Sequence, residues 1–251
     1  MSSEMNEIKY TERWHSRYFA WRDLWLVPLY FLLVQIVLAP IISLIMILVM
    51  DGTMYPGETS TYKIILNFAN VLVTLLIFYL MHVNHDIVRI AIERFKQVKK
   101  HLIFIIIVFV LAQLVSQLYN WLLNFLPSSL QFDDTANNKE VLKLFDVNWL
   151  IPVSLIMGII LIPLVEELIF RHLIIHELGK KITYPIAAIL SIILFTALHL
   201  LGMKSPFEIG EYLIIAVPIV IVYMRSGRNL AASFTYHALN NGFAFLLMLL
   251  M

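Results

Sequence analysis

The chain has 251 residues, 61% of them hydrophobic and only 14% charged, where an average soluble domain is about 25% charged, and its mean hydropathy is +0.84. Such a composition excludes an ordinary water-soluble domain, and a formal net charge of +1 offers no basis for a nucleic-acid or acidic-substrate partner. The absence of cysteine removes disulfides, thiolate metal ligands and a cysteine nucleophile. Hydrolytic chemistry would have to use carboxylate, imidazole or hydroxyl groups.

Residues 1–23 mix Lys, Arg, Glu and aromatics without a short apolar core or a small-residue cleavage site, which predicts a retained cytoplasmic segment. Apolar runs follow at about 24–50, 63–83, 102–126, 148–171, 184–203, 210–224 and 230–250. A helix needs about 20 apolar residues to cross roughly 30 Å of hydrocarbon. The expectation is therefore an all-α polytopic membrane protein with about seven transmembrane helices, six to eight allowing for the short sixth run, which could be buried or re-entrant. Pro40, Pro163 and Pro218 fall inside runs and predict kinks. Trp25, Trp121 and Trp149 stand near run ends, where an amphipathic ring suits the headgroup level. The chain divides into the 1–23 segment, an N-terminal set of membrane helices over 24–126 and a C-terminal helical core over 148–251.

With the N-terminus inside, 14 of the 18 Lys and Arg residues fall on internal segments. Lys63, Lys139, Lys143 and Lys204 lie outside, which is the expected bias for a multi-pass cell-membrane protein with a cytoplasmic N-terminus. The 86–101 segment, DIVRIAIERFKQVKKH, combines apolar residues at helical spacing with five basic ones. It reads either as an amphipathic helix on the anionic inner leaflet or as a solvated basic loop.

The fourth run carries Glu166, Glu167 and Arg171 after 17 residues without a charge. Ionisable groups at bilayer depth cost roughly 2.5–3.5 kcal/mol each on insertion scales, so three of them point to function. Glu167 and Arg171 are spaced to share a helix face and pair, leaving Glu166 about 100° away as a free carboxylate that can serve as a general base. The alternative is that the buried helix ends near Val165 and all three are interfacial. The fifth run has one strongly polar residue far along it, His199, one turn after Phe195. Counting from a turn near Gly179 to Thr183 puts Glu167 and His199 roughly 20 and 24 Å along antiparallel helices, at similar depth. The seventh run holds His237, Asn240 and Asn241. His237 and Asn241 share a face and can aim donors at one spot, or serve as interhelical hydrogen-bond glue. Counted from Asn229, however, His237 is only about 12 Å deep and does not match the other two.

Other candidates are weaker. His172 and His176 have metal-ligand spacing, but the adjacent Lys180 and Lys181 read as a solvated cytoplasmic end. His82 and His85 read as interfacial, the Met residues as apolar filler, and Ser154, Ser191 and Ser233 lack a base and an aspartate partner.

In order along the chain, EELIFR (Glu166 to Arg171), FTALH (Phe195 to His199) and HALNN (His237 to Asn241) resemble the EExxxR, FxxxH and HxxxN motifs of the CAAX protease and bacteriocin-processing (CPBP, or Abi) family over roughly residues 148–251. His172 departs from that pattern, which usually has a small residue after the Arg. The resemblance implies an intramembrane, glutamate-dependent endopeptidase acting on a membrane-associated peptide or protein. Glu166 and His199 would hold and activate water, and His237 and Asn241 would donate to the oxyanion. Glu167 and Arg171 carry over as motif members, to which the spacing gives the part of an orienting ion pair. A zinc site of Glu166, His199 and His237 is the metal-dependent alternative; a metal-free mechanism is favoured because the glutamate then serves one role. Two other classes remain: a non-catalytic scaffold or bacteriocin-immunity factor of the same fold, and a proton or ion transporter. Intact polar groups argue against the scaffold, and the lack of an inverted repeat against the transporter.

Overall fold

The structure, a computed structural model, describes residues 19–49 and 60–250. Most of the expected N-terminal cytoplasmic segment, and most of the connection between the first two apolar runs, lies outside the described residues. Every regular element described is helical.

Helices α1 (Trp21–Leu33) and α2 (Ile36–Val49) are bent by 41° at the break between them. The bend falls where Pro40 withholds an N–H and crowds the carbonyl of the preceding turn. Helix α3 (Ser60–His82) ends in one tight turn, Val83–His85. Asp86, at φ 54°, reverses the chain into α4 (Ile87–Val98). The 86–101 segment is thus a helix and not a loop. Val88, Ile92 and Phe95 on α4 are each about half exposed, beside basic residues. Helix α5 (Leu102–Leu123) is followed by the short α6 (Ala136–Leu142), capped by Thr135 Oγ1 accepting from Asn138 N at 3.2 Å. Then come α7 (Asn148–Ile182), α8 (Tyr184–His199), α9 (Glu208–Arg225) and α10 (Leu230–Leu250).

All seven apolar runs form helices, but they are not seven equal spans. By length and composition α3, α5 and α7 can cross a membrane, and the bent α1–α2 pair makes a fourth. Helix α8, expected to continue to residue 203, stops at His199 after 16 residues. Helix α9 opens on Glu208 and Glu211 and closes on Arg225, while α10 carries His237, Asn240 and Asn241. Helices whose polar side chains meet other helices need not satisfy the apolar length rule that lipid imposes.

Helix α7 is the centre: half of its most apolar window is buried, against 17% for α5. It packs on α3, α8 and α10, and α8 packs in turn on α9. Lipid tails are as apolar as the helix surfaces, so close packing rather than water exclusion drives the association, and small residues at the contacts favour it. Ala187, Ser191, Ala216, Ala232 and Ser233 are fully buried accordingly. Ser191 Oγ also donates to Phe170 O across the α8–α7 contact at 3.0 Å. Ile103, Ile107, Val110, Leu114 and Leu118 of α5 face outward and are about half exposed or more. In water such a belt would be an aggregation surface; on a membrane protein it is the lipid face.

Two proline-bearing stretches adopt wide π turns, Leu29–Leu38 before Pro40 and Met157–Leu161 before Pro163. A residue added to the turn relieves the clash of the proline ring with the carbonyl ahead of it. A third π stretch, Glu167–Leu178, begins at the charged residues of α7.

Candidate active site

Helices α7, α8 and α10 bring Glu166, Glu167, Arg171, His199 and His237 into one polar cluster, and Asn241 follows one turn after His237 on α10. The Glu166 carboxylate lies between two imidazoles, Oε1 3.6 Å from His199 Nε2 and Oε2 3.4 Å from His237 Nε2. Both gaps are long for direct hydrogen bonds and short enough for one water to touch both sides. Glu166 and His199 keep 16% and 20% of their side-chain surface exposed, while His237 keeps 2% and Glu167 and Arg171 none. The first two are therefore the groups that water and a substrate can reach, and the others support them.

The support is continuous. Arg171 Nη1 lies 3.3 Å from Glu167 Oε1, and His237 Nδ1 donates to the same oxygen at 3.1 Å. Glu167 thus holds His237 as well as Arg171, a second role that i, i+4 spacing does not reveal. His199 Nδ1 donates to Phe195 O at 2.8 Å, which leaves the ring's lone pair on Nε2, toward Glu166. The Phe195 ring stacks on His199 at 4.3 Å, and the Arg171 guanidinium lies 5.1 Å from the same ring centre. Asn241 Nδ2 donates to Gly158 O at 3.0 Å, so one amide hydrogen orients the side chain and the second is available to a ligand. Asn240 takes another direction, accepting from Gln113 of α5 at 3.2 Å.

The mismatch in depth of His237 disappears because the start of α10 is inset. Asn229 is fully buried and its amide donates to Arg94 O of α4. Helix α10 begins behind α4 and not at the surface, so a count from Asn229 understates the depth of His237.

Residues 148–243 match the family described as Rce1-like, type II CAAX prenyl endopeptidase. This part of the chain is similar to the CAAX protease (CPBP) family. No curated protein and no solved structure matches the chain. The matched region contains all six of these residues and ends just past Asn241. The exposed apolar belt fits a membrane protein, and the matched region is similar to a protease family.

The geometry also bears on a metal at this site. Among the described residues, three donor atoms come within 4.8 Å of one another at Asp23, His82 and His172. Those of Glu166, His199 and His237 do not draw together to that extent. Tetrahedral zinc donors on bonds of about 2.0–2.1 Å sit roughly 3.3 Å apart; Glu166 comes near that spacing to each histidine, at 3.6 and 3.4 Å, while the three donor atoms do not close into one set.

Several neighbours escaped sequence reasoning. The Gly158 carbonyl that holds Asn241 belongs to a residue with no side chain to attract notice. His172 and His176, expected to be solvated at a cytoplasmic end, are both buried, because α1 and α3 cover that end of α7. The two do not form a ligand pair: their rings stack with centres 6.0 Å apart, and His172 Nε2 instead meets Asp23 Oδ2 at 2.7 Å. His82, expected to be interfacial, is also buried. Asp23 is separated from these partners by 59 and 149 residues, and no local spacing connects them. The serines expected to be inert all donate to backbone carbonyls, Ser154 to Leu144, Ser191 to Phe170 and Ser233 to Leu230.

Gly158 allows a prediction. A Cβ there would come within 2.4 Å of the edge of the Phe245 ring, pushing α7 from α10 at the point where Asn241 is held. Gly158→Ala should lower the processing rate about 10²-fold, the cost of roughly 1 Å of misplacement. Adding Phe245→Leu should recover part of it. Equal rates for Gly158→Ala and the unsubstituted chain would show that the Asn241 contact is not needed.

Proposed function

We propose that this protein is an intramembrane endopeptidase in which Glu166 activates water, carried by one observation: a partly exposed carboxylate between the Nε2 atoms of two oriented imidazoles. Water sits between Glu166 Oε1 and the lone pair of His199. Glu166 takes its proton as the oxygen attacks the scissile carbonyl carbon. The carbonyl oxygen becomes an oxyanion beside His237 Nε2 and the second hydrogen of the Asn241 amide. The His237 ring is held through its Nδ1–H by Glu167, with Arg171 behind that carboxylate. Collapse of the intermediate breaks the C–N bond, and Glu166 returns its proton to the departing amine, so the enzyme ends as it began.

The family similarity supports a C-terminal CAAX-type peptide, prenylated at its cysteine and presented from the membrane, as the substrate. The deciding experiment incubates the purified full-length protein in detergent with prenylated and unprenylated CAAX peptides and identifies products by mass spectrometry. Hydrolysis by the wild type and none by Glu166→Gln is the expected result. Cleavage of neither peptide by the wild type would remove the CAAX substrate, and equal cleavage by Glu166→Gln would remove the mechanism.

The orientation belongs to the same proposal: N-terminus and α4 in the cytoplasm, α6 outside, in the cell membrane. Lys139 on α6 is exposed. In this cysteine-free chain Lys139→Cys should react with an impermeant thiol reagent in intact cells. Reaction only after permeabilisation would reverse the topology.

A further inference from the structure

We infer that Asp23, His82 and His172 form a binding site for a first-row divalent cation of the zinc type, separate from the catalytic cluster. The three come from three elements: the turn that opens α1, the end of α3 and the middle of α7. All are buried, with side-chain exposures of 2%, 9% and 8%. Asp23 Oδ1 lies 3.2 Å from His82 Nε2 and Asp23 Oδ2 2.7 Å from His172 Nε2. The three donor atoms all lie within 4.8 Å of one another.

The tautomer of His82 points to a cation. Its Nδ1 donates to Phe78 O at 2.8 Å, so the neutral ring carries its lone pair on Nε2, directly facing a carboxylate oxygen. Two lone pairs repel; a positive charge between them, a proton or a metal ion, turns the contact attractive. A backbone carbonyl fixing one ring nitrogen while the other faces the ion is the usual outer support of a histidine ligand. Tetrahedral donors on bonds of about 2.0–2.1 Å sit roughly 3.3 Å apart. The Asp23–His82 separation meets this and the Asp23–His172 separation needs to open slightly.

Two imidazoles and one carboxylate select zinc, nickel, copper or iron over magnesium and calcium, which prefer oxygen. The fourth position faces a cavity of about 590 Å³ that also borders Leu168, His176 and Phe234, where a water can complete the shell. Arg22 Nε approaches Asp23 Oδ1 at 3.3 Å from the solvent side and its Nη1 contacts His85 at 2.9 Å, giving the carboxylate an outer donor. The bound ion would fasten α1 and α3 to α7 one residue beyond Arg171. Its effect is thus on how the N-terminal helices hold the catalytic helix.

The test uses the full-length protein in detergent, stripped with a chelator and titrated with cobalt(II), whose visible bands report nitrogen and oxygen coordination. One equivalent should bind to the wild type and equally to a His199→Ala/His237→Ala chain, while His82→Gln/His172→Gln should bind at least tenfold more weakly. Zinc should raise Tm for the first two proteins and leave the third unchanged. Should the third not fold, X-ray absorption of zinc in the His199→Ala/His237→Ala chain decides, with two imidazoles expected. The inference is overturned by no bound cobalt in the wild type, by loss of binding with His199 and His237, by undiminished binding without His82 and His172, or by fewer than two imidazoles on the ion.

Discussion

Glu166→Gln is expected to reduce peptide hydrolysis by roughly 10²–10⁴-fold, the usual contribution of a positioned general base, with Tm in detergent close to that of the wild type. Glutamine keeps the volume and can still contact a water and both imidazoles, but it cannot take a proton. Since Glu166 is the partly exposed member of the glutamate pair and is not the partner of Arg171, its neutralisation leaves no buried charge unbalanced. Rate and stability should therefore separate. A variant retaining more than about a tenth of the wild-type rate would transfer the base to another group, because a loss below the lower end of that range is less than a base contributes.

Arg171→Ala should behave in the opposite way, losing stability and activity together. Both side chains of the Glu167–Arg171 pair are fully buried, and removing one partner of such a pair costs about 3–5 kcal/mol because the other charge is left uncompensated. The guanidinium also lies against Phe195, the ring that stacks on His199, so the loss reaches the water-holding side of the site. Arg171→Lys should restore only part of the stability, since a point charge replaces a planar fork. Glu167→Gln with Arg171→Gln should melt above Arg171→Ala, because no unpaired charge remains. It should stay slow nonetheless, since an amide oxygen at position 167 can accept from His237 Nδ1 but no longer places a negative charge beside the site. Expression yield, melting and processing rate of the three variants are the measurements. If Arg171→Ala melts like the wild type and is inactive, Arg171 acts on the substrate and not as support for Glu167.

The sequence by itself determined the membrane class, the helical runs and which side chains were costly enough at depth to demand partners. Seventeen residues without a charge followed by Glu166, Glu167 and Arg171 are legible because each charge in hydrocarbon carries a large energetic cost. The i, i+4 pairing of Glu167 with Arg171 was legible because it is local, and it closes at 3.3 Å even though the helix there has wide π turns. The tertiary structure decided what depends on how helices are staggered. The inset start of α10 at Asn229 brings His237 to Glu166, and the cover of α1 and α3 over one end of α7 buries His82, His172 and His176. It also decided that Glu167 serves both Arg171 and His237, and that Asp23 meets two histidines far along the chain. Hydropathy reports the cost of placing a residue in lipid, but not whether a polar helix meets lipid or other helices. Local spacing reaches one or two turns, so contacts set by helix offset and by the crossing of non-adjacent helices leave no periodic trace in the sequence.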